Sequence, residues 1–493
     1  MKKIVLLISV VFLILSVGLL YGGKKEEPVK EPAEVEKVKE EAAPVKEEGP
    51  YGNWEGVTIN CAILAGSQTV VYAKAAEDFN KLTGCNVVIN DFPFNSLYDK
   101  QMTEAVSHSG AFDIISPAQF WVGDFVATGF PEPLDKYMKK WPLEDQDDIV
   151  DSYIDMGVWG GKTYTIVTDG DHFAVYYRRS WFEDQKEKDA FKQKYGYELA
   201  PPKTWEEFKQ IAEFFTRDTD GDGNNDMWGT AFMASRGEVC FEFVQRFYSF
   251  GGEFFDTDTM AARINTEAGV NALKTLHEIM DYCPPGVLNM TFTENRDAFV
   301  GGKLAMVMNW PDFGGQSEKP EISKIVGDVG YSLVPGAMVD GKLNRNSLLA
   351  FGFCTMLSAD SKNKEAAYQF MRYFSSKDVS TWVISQSMGL DAWRKSHFKN
   401  PKLLNAFPSA PAFYKNMHEC MEMGVPDLRI PGAQKYYDII GVRVGEALAK
   451  AKRGSIDYQA VVDAIAKEWD EYTNQLGKEN QLKIYRSSIG FTD

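Results

Sequence analysis

From Tyr51 onward the chain opens as strand, helix, strand with short links, and that order dictates a mostly parallel sheet. Residues 57–64 form a predicted strand. Val71, Ala75, Phe79 and Leu82 recur at helical spacing, and Gly84 suits the left-handed residue that ends a helix. Residues 87–89 are the next strand, and 112–115 form a short apolar run stopped by Ser116 and Pro117. Alternating strands and helices of this kind place helices on the faces of a shared sheet, an α/β class.

The segment 163–177 breaks this rhythm. Two extended stretches are interrupted by Thr168, Asp169, Gly170 and Asp171, as expected of a chain leaving one domain for another. Beyond it, Thr204 and Glu207 form a capping box ahead of a helix whose buried stripe is Trp205, Phe208, Ile211, Ala212 and Phe215. A further helix starts near Lys364, with Ala367, Phe370, Met371 and Phe374 inward. Residues 436–476 are amphipathic helix with a break at Arg453 and Gly454. No internal repeat is present.

The first 50 residues are of another kind. Lys2 and Lys3 precede an apolar run over 4–20, which has the form of an export signal. Residues 1–23 are therefore a signal peptide or an N-terminal anchor. The run ends without a Cys before Cys61, so lipidation is not expected. Residues 24–50 contain Lys, Glu, Pro, Val and Ala but no aromatic residue up to Pro50, a composition that stays solvated and serves as a tether of roughly 30 Å reach. The protein is expected outside the cytoplasm, periplasmic or held at the membrane, working without cytosolic ATP.

The 493 residues leave room for at least two domains past the tether. A net charge of −17 argues against nucleic acid or an anionic membrane surface as partner, because both demand a basic footprint. Six scattered Cys form no CxxC and no disulfide framework; Cys61 and Cys85 fall in neighbouring predicted strands and could pair.

Motifs for catalysis are missing. There is no HExxH, no GxSxG and no Cys/His cluster with zinc spacing. Gly160-Gly161-Lys162-Thr163 resembles the end of a phosphate-binding loop, but Met156 stands where its first Gly belongs and a strand follows. Asp169 and Asp171, two apart on an extended segment, are expected on opposite faces, suited to ligand contacts or hinge hydrogen bonds more than to glycoside chemistry. The strongest local signal is Asp218-Thr-Asp220-Gly-Asp222-Gly-Asn224-Asn-Asp226. Oxygen ligands at positions 1, 3, 5, 7 and 9, with Gly at 6, match a calcium loop, although Gly229 stands where a bidentate Glu closes that motif. A structural Ca2+ is expected there, and no organic cofactor.

Phe120-Trp121, Trp310 beside Pro311 and Asp312, and Trp393-Arg394 each adjoin turn-forming residues instead of a helical stripe. Flat aromatic walls beside planar polar groups suit sugar rings, with their apolar C–H faces and hydroxyl rims.

Together, several stretches resemble a known family: Phe79-Asn-Lys-Leu-Thr-Gly84, Phe112-Asp-Ile-Ile-Ser-Pro117, Gly129-Phe-Pro-Glu-Pro-Leu-Asp135, Gly161-Lys-Thr-Tyr164 followed by Tyr176-Tyr177, Pro202-Lys-Thr-Trp-Glu-Glu207, Phe299-Val-Gly-Gly-Lys-Leu-Ala-Met306 and Met388-Gly-Leu-Asp-Ala-Trp-Arg394. In order and spacing they resemble the extracellular solute-binding proteins of ABC importers, family 1, the maltose-binding-like group. The resemblance implies a type II periplasmic-binding-protein fold: two α/β lobes joined by a hinge the chain crosses more than once, near 168–171, 306–309 and 349–352. It assigns 51–168 plus 308–350 to an N-terminal lobe and 169–307 plus 351–493 to a C-terminal lobe. It implies cleft contacts from Ser67, Gln119, Trp121, Asp171, His172, Arg236, Asn309, Trp310, Trp393 and Arg394, with rings stacking on sugar faces and polar groups taking hydroxyls. It implies a monomer, not an enzyme, that captures a mono- or oligosaccharide and delivers it to a membrane permease. The chain departs from the family in lacking a lipobox and in carrying Asp391 where proline is frequent. A polyol or polyamine binder, a sensory ligand-binding module and a carbohydrate-active enzyme stand as alternatives.

Overall fold

The computed structural model describes residues 49–349, 352–386, 389–451 and 455–491, and the side chains of all of these but Ser67 and Asn95. The export segment, nearly all of the tether and the Arg453-Gly454 break lie outside the described residues.

Two sheets organise the chain. In the first, the order is Asn86–Phe92, Thr58–Leu64, Ile114–Ile115, Cys354–Leu357, Thr165–Val167. Thr58–Leu64 runs parallel to Asn86–Phe92 along its whole length and parallel to Ile114–Ile115 on its other edge. Cys354–Leu357 is antiparallel to both its neighbours. The second sheet has Ala174–Arg178 at its centre, antiparallel to Met306–Asn309 and to Val329–Ser332.

The local signals in the sequence have clear counterparts. The helix Ser67–Thr83 links the first two strands and buries Val71, Ala75 and Phe79, while Leu82 in its last turn projects into solvent. Gly84 ends it at φ 76°, with its N–H on the Asn80 carbonyl. The capping box forms: Glu207 N–H donates to Thr204 Oγ1 at 3.2 Å, and the helix Trp205–Phe215 buries all five residues of its expected stripe. Lys364–Phe374 buries Ala367, Phe370, Met371 and Phe374. The region 436–476 is covered by the helices Ala433–Ala451 and Tyr458–Leu476, and a further helix, Lys478–Ser488, follows.

The chain passes between the sheets at 168–173 and again just before Cys354–Leu357. The strand Met306–Asn309 is not a crossing. It stays in the second sheet, as does Val329–Ser332, which was expected in the N-terminal lobe. Conversely, Cys354–Leu357 belongs to the first sheet, not to the C-terminal lobe. The reason is the central strand Ala174–Arg178, whose Ala174, Val175 and Tyr176 are fully buried and whose two backbone edges both need a partner. The chain supplies both before it leaves. All six Cys are buried free thiols, Cys61 and Cys85 included.

Candidate ligand-binding site

The strand Thr58–Leu64 ends at Ala65 and Gly66, and a cavity of about 420 Å³ opens at that carboxyl end. This is where a parallel α/β sheet leaves a crevice. Its near wall is Leu64, Ala65, Gly66, Gln68 and Phe94; its far wall is Glu238, Thr291, Phe292, Thr293 and Arg296. Asp171, Trp310, Asp312, Phe353 and Gly389, from the segments between and beside the sheets, also line it.

The rings are held from behind. Phe94 stacks on Trp121, with centroids 5.6 Å apart and planes 15° apart. Trp121 Nε1 donates to Gln434 Oε1 at 2.5 Å. Trp310 stacks on Phe173 at 5.3 Å and meets Phe292 at 5.9 Å. Neither indole is free to turn.

Four acids meet beside the cavity. Asp169, Asp171 and Asp391 bring carboxylate oxygens within 4.8 Å of one another, and all three are buried. The expectation that Asp169 and Asp171 face opposite ways does not hold. The strand Thr165–Val167 stops before them and Ala174–Arg178 starts after them, so no pleat separates the two. Gly170 allows the segment carrying Asp391 to approach: a Cβ there would lie 2.0 Å from the Ala392 carbonyl oxygen. The Asp391 N–H donates to Asp169 Oδ1 at 2.7 Å, a bond proline at that position could not make. Asp312 is close enough for its charge to act on Asp169 and Asp391, and Gln316 Nε2 donates to its Oδ2 at 2.8 Å.

Burial governs the charge state. It pushes Asp169 up to about 8, against the hydrogen bond from Asp391 N–H and with the charge of Asp312. Asp171 and Asp391 rise well above the usual carboxylate range, through burial first and then through their acidic neighbours. Burial raises Asp312 to about 7, opposed by the Arg296 guanidinium, and raises Glu238 to about 7, opposed by the Phe292 N–H it accepts.

Of the residues singled out in the sequence, Asp171 and Trp310 line the cavity, and Ser67 lies between two that do. Trp121 stands one layer back, behind Phe94. Gln119 is buried, its N–H on the Gly352 carbonyl at 2.8 Å. Asn309 is buried too, donating to Asn295 Oδ1 at 3.2 Å and accepting from Trp310 N–H at 2.8 Å, so it orients the strand end that carries Trp310. His172 is fully buried, its Nδ1 3.2 Å from the Gly170 carbonyl, and burial lowers it to about 4. Arg236 is exposed and outside the lining; Glu238, two residues on, is within it.

Trp393 and Arg394 are packing residues. Trp393 is fully buried in a T-shaped contact with His397, centroids 5.3 Å apart. The Arg394 guanidinium donates to the carbonyls of Glu144, Asp145 and Ser375 and lies 3.6 Å from Asp148. The three tryptophans therefore do not converge: Trp310 faces the cavity, Trp121 backs it and Trp393 sits in a separate core.

The sequence reading missed Phe94, Gln68, Arg296, Glu238 and the 291–293 segment. A capping box at Thr291 and Glu294 marks the start of the helix Phe292–Val300 and would have brought that segment forward.

The acidic loop lies apart from the cavity. Asp218, Asp220 and Asp222 bring carboxylate oxygens within 4.8 Å of one another. Asp218 also accepts the N–H groups of Gly221 and Gly223, each at 2.7 Å. Asp226 instead accepts from Thr219 N–H at 3.0 Å and Thr219 Oγ1 at 2.6 Å. Gly229 cannot be a larger residue, because a Cβ would lie 1.9 Å from the Ala212 carbonyl oxygen. Close packing on the helix Trp205–Phe215 thus excludes the closing Glu of a full calcium loop.

The profile of the bacterial extracellular solute-binding proteins matches residues 65–380. The chain belongs to that family. A probable amino-acid ABC transporter periplasmic-binding protein of Sinorhizobium fredii is 25% identical over 428 residues, covering 84% of this chain and 90% of that one. Among solved structures, an ABC transporter solute-binding protein of Agrobacterium radiobacter in complex with ribitol superposes with a TM-score of 0.72 at 22% identity, covering 85% of this chain and all of that one. A maltose-bound protein of T. maritima gives 0.70 at 21% identity, over 84% and 100%. The fold is that of the type II periplasmic binding proteins, two α/β lobes joined by a hinge.

Proposed function

We propose that this solute-binding protein captures a carbohydrate or polyol in the cavity between its sheets and delivers it, chemically unchanged, to an ABC permease. The observation that carries the reading is the cavity itself. Its volume is within the range of small-ligand sites, it draws walls from the end of a first-sheet strand and from segments that flank both sheets, and it sets aromatic faces beside carboxyl acceptors. Sugar and polyol hydroxyls need such partners, since each buried polar group left unpaired costs roughly 1–3 kcal/mol. The ribitol and maltose complexes of structural relatives support the same class of solute. An enzymatic role is disfavoured by the acids: Asp169 lies fully buried behind Asp171, so the two do not flank a bond held in the cavity.

The protein acts as an exported, periplasmic monomer in this reading. The apolar run with its basic start supports export, as does membership of an extracellular family. Among the described residues no helix is long and apolar enough to cross a membrane. The loop at Asp218, Asp220 and Asp222 binds Ca2+ weakly, as a brace for the turn. The three converging carboxylates fit the ion, and the missing closing Glu sets the affinity low.

A thermal-shift screen of monosaccharides, oligosaccharides and polyols tests the main reading. A ligand that binds only the native state raises the melting temperature. The expected result is a concentration-dependent rise with at least one of them. No rise with any, beside a rise with peptides or another solute class, overturns it.

A further inference from the structure

The acids of the cavity are unevenly compensated. Asp171 lines the cavity, is nine-tenths buried, and is paired through its side chain with the carboxyl of Asp391, itself an acid. Asp169 and Asp391 lie against it, and Asp312, whose Oδ1 is buried without a partner, is near enough for its charge to act on Asp171. The Tyr176 hydroxyl, buried and unpartnered beside Asp391 and Asp312, adds no charge. Among the described residues, Arg296 is the one cationic side chain in the lining. Its guanidinium is committed to Asp297 at 2.8 and 3.0 Å and to Gln316 at 3.3 Å. Lys319 feels the charge of Asp312, but its ammonium donates to the Gln386 carbonyl at 3.0 Å. His172 is buried and neutral at pH 7.

The donors on the far wall are spent as well. At the start of the helix Phe292–Val300, Phe292 N–H goes to Glu238 at 2.8 Å, Thr291 N–H to Glu294 at 2.9 Å and Thr293 N–H to Thr291 Oγ1 at 3.2 Å. Burial holds these acids in their protonated form, and a neutral solute closing over this side would leave them so, whereas a cation would draw Asp171 into its charged form with release of its proton. An ammonium group is their complement: it carries three donors, no acceptor and a unit positive charge, and its hydrogen bonds to carboxylates are about twice as strong as neutral ones. The rings of Phe94, Phe292 and Trp310 suit it too, since aromatic faces attract cations.

We propose that the solute is a polyhydroxylated molecule carrying a protonated amino group, an amino sugar or amino polyol, and that Asp171, with Asp312 also in the lining, receives its ammonium. This rests on the reading of the cavity as the solute site and sharpens it from neutral to cationic.

The test uses matched pairs on the purified full chain at pH 7.5 with EDTA: D-glucosamine against D-glucose, and D-glucamine against D-sorbitol. Calorimetry is expected to give at least tenfold tighter binding for the amino member of one pair. Asp171→Asn should erase that difference while its melting transition stays cooperative, and Asp312→Asn should narrow it. Neutral members that bind as tightly as their amino partners overturn the inference and leave the sugar or polyol reading standing. If no member of either pair binds but other neutral sugars or polyols do, the inference likewise falls alone. If the wider screen also finds no sugar or polyol, both fall. CaCl2 or NaCl alone raising the melting temperature of the wild type but not of Asp171→Asn makes the acids a metal seat, which also overturns the inference.

Discussion

Phe94 lies flat on Trp121, 5.6 Å from centroid to centroid, so the ring that faces the cavity is the phenylalanine and the indole is its backing. Phe94→Ala should weaken solute binding on the order of tenfold with a modest loss of stability. Trp121→Ala empties a fully buried site and should cost about 3–5 kcal/mol of stability. Calorimetry and urea unfolding of both variants check the division; equal effects on affinity and stability in each would contradict it.

Trp310 has both roles at once. It lines the cavity, yet only 5% of it is exposed. Trp310→Ala should therefore abolish measurable binding and also lower the melting temperature. Trp310→Phe should keep the stack on Phe173 and recover most of the stability but not the affinity. Unchanged affinity in the alanine variant would remove the residue from the site.

Gly170, between Asp169 and Asp171, lets the Ala392 backbone pack against this segment. A methyl group there meets the Ala392 carbonyl, so Gly170→Ala should cost about 1–3 kcal/mol as the two segments separate. The same shift moves Asp171, and affinity should fall with stability. Denaturant unfolding and calorimetry that both match wild type would show the approach to be unconstrained.

The buried acids give stability a definite pH slope. Asp169 holds its proton up to about 8 and Asp312 up to about 7 in the native state, against about 4 in an unfolded chain. Over that interval the native state keeps protons that the unfolded chain has lost. Stability therefore falls as pH rises, by about 1.4 kcal/mol per unit for each such proton. His172 and His397, lowered by burial to about 4 and about 3, act the other way, but only up to their unfolded value of about 6.5. The solute-free protein should lose melting temperature between pH 6.5 and 8.5, and Asp169→Asn should flatten the decline. A melting temperature that is level or rising across this range contradicts the assignment.

Calcium should act through the loop alone. Adding millimolar CaCl2 to the EDTA-treated protein is expected to raise the melting temperature by a few degrees, and Asp220→Asn should remove the effect without touching solute affinity. A shift that survives in Asp220→Asn places the ion elsewhere.

Local chemistry made much of the fold legible. Thr204 with Glu207, Gly84 and the spacing of Val71, Ala75 and Phe79 each specify their element from within a few residues. The pairing of Val329–Ser332 with Ala174–Arg178 is set by which edge is open in three dimensions, and no short pattern reports it. The site was legible in the same measure. Asp171 adjoins a break in pattern that marks a chain changing sheets, and Trp310 adjoins the Pro311 turn that ends a strand. Trp393 and Arg394 adjoin a similar break, but the carbonyls of Glu144, Asp145 and Ser375 that claim the guanidinium come from distant segments. Phe94 looked like any first-turn residue of a helix, because what makes it a wall is the indole behind it.

The bond from the Asp391 amide to Asp169 bears on how this lineage can drift. A homologue with proline at the first position forfeits the donor that holds the acid at the second, and a buried carboxyl without that donor is a burden. The two sites should therefore change in concert across homologous sequences, an acid at one excluding proline at the other, and a large alignment would expose the linkage without any experiment on the protein.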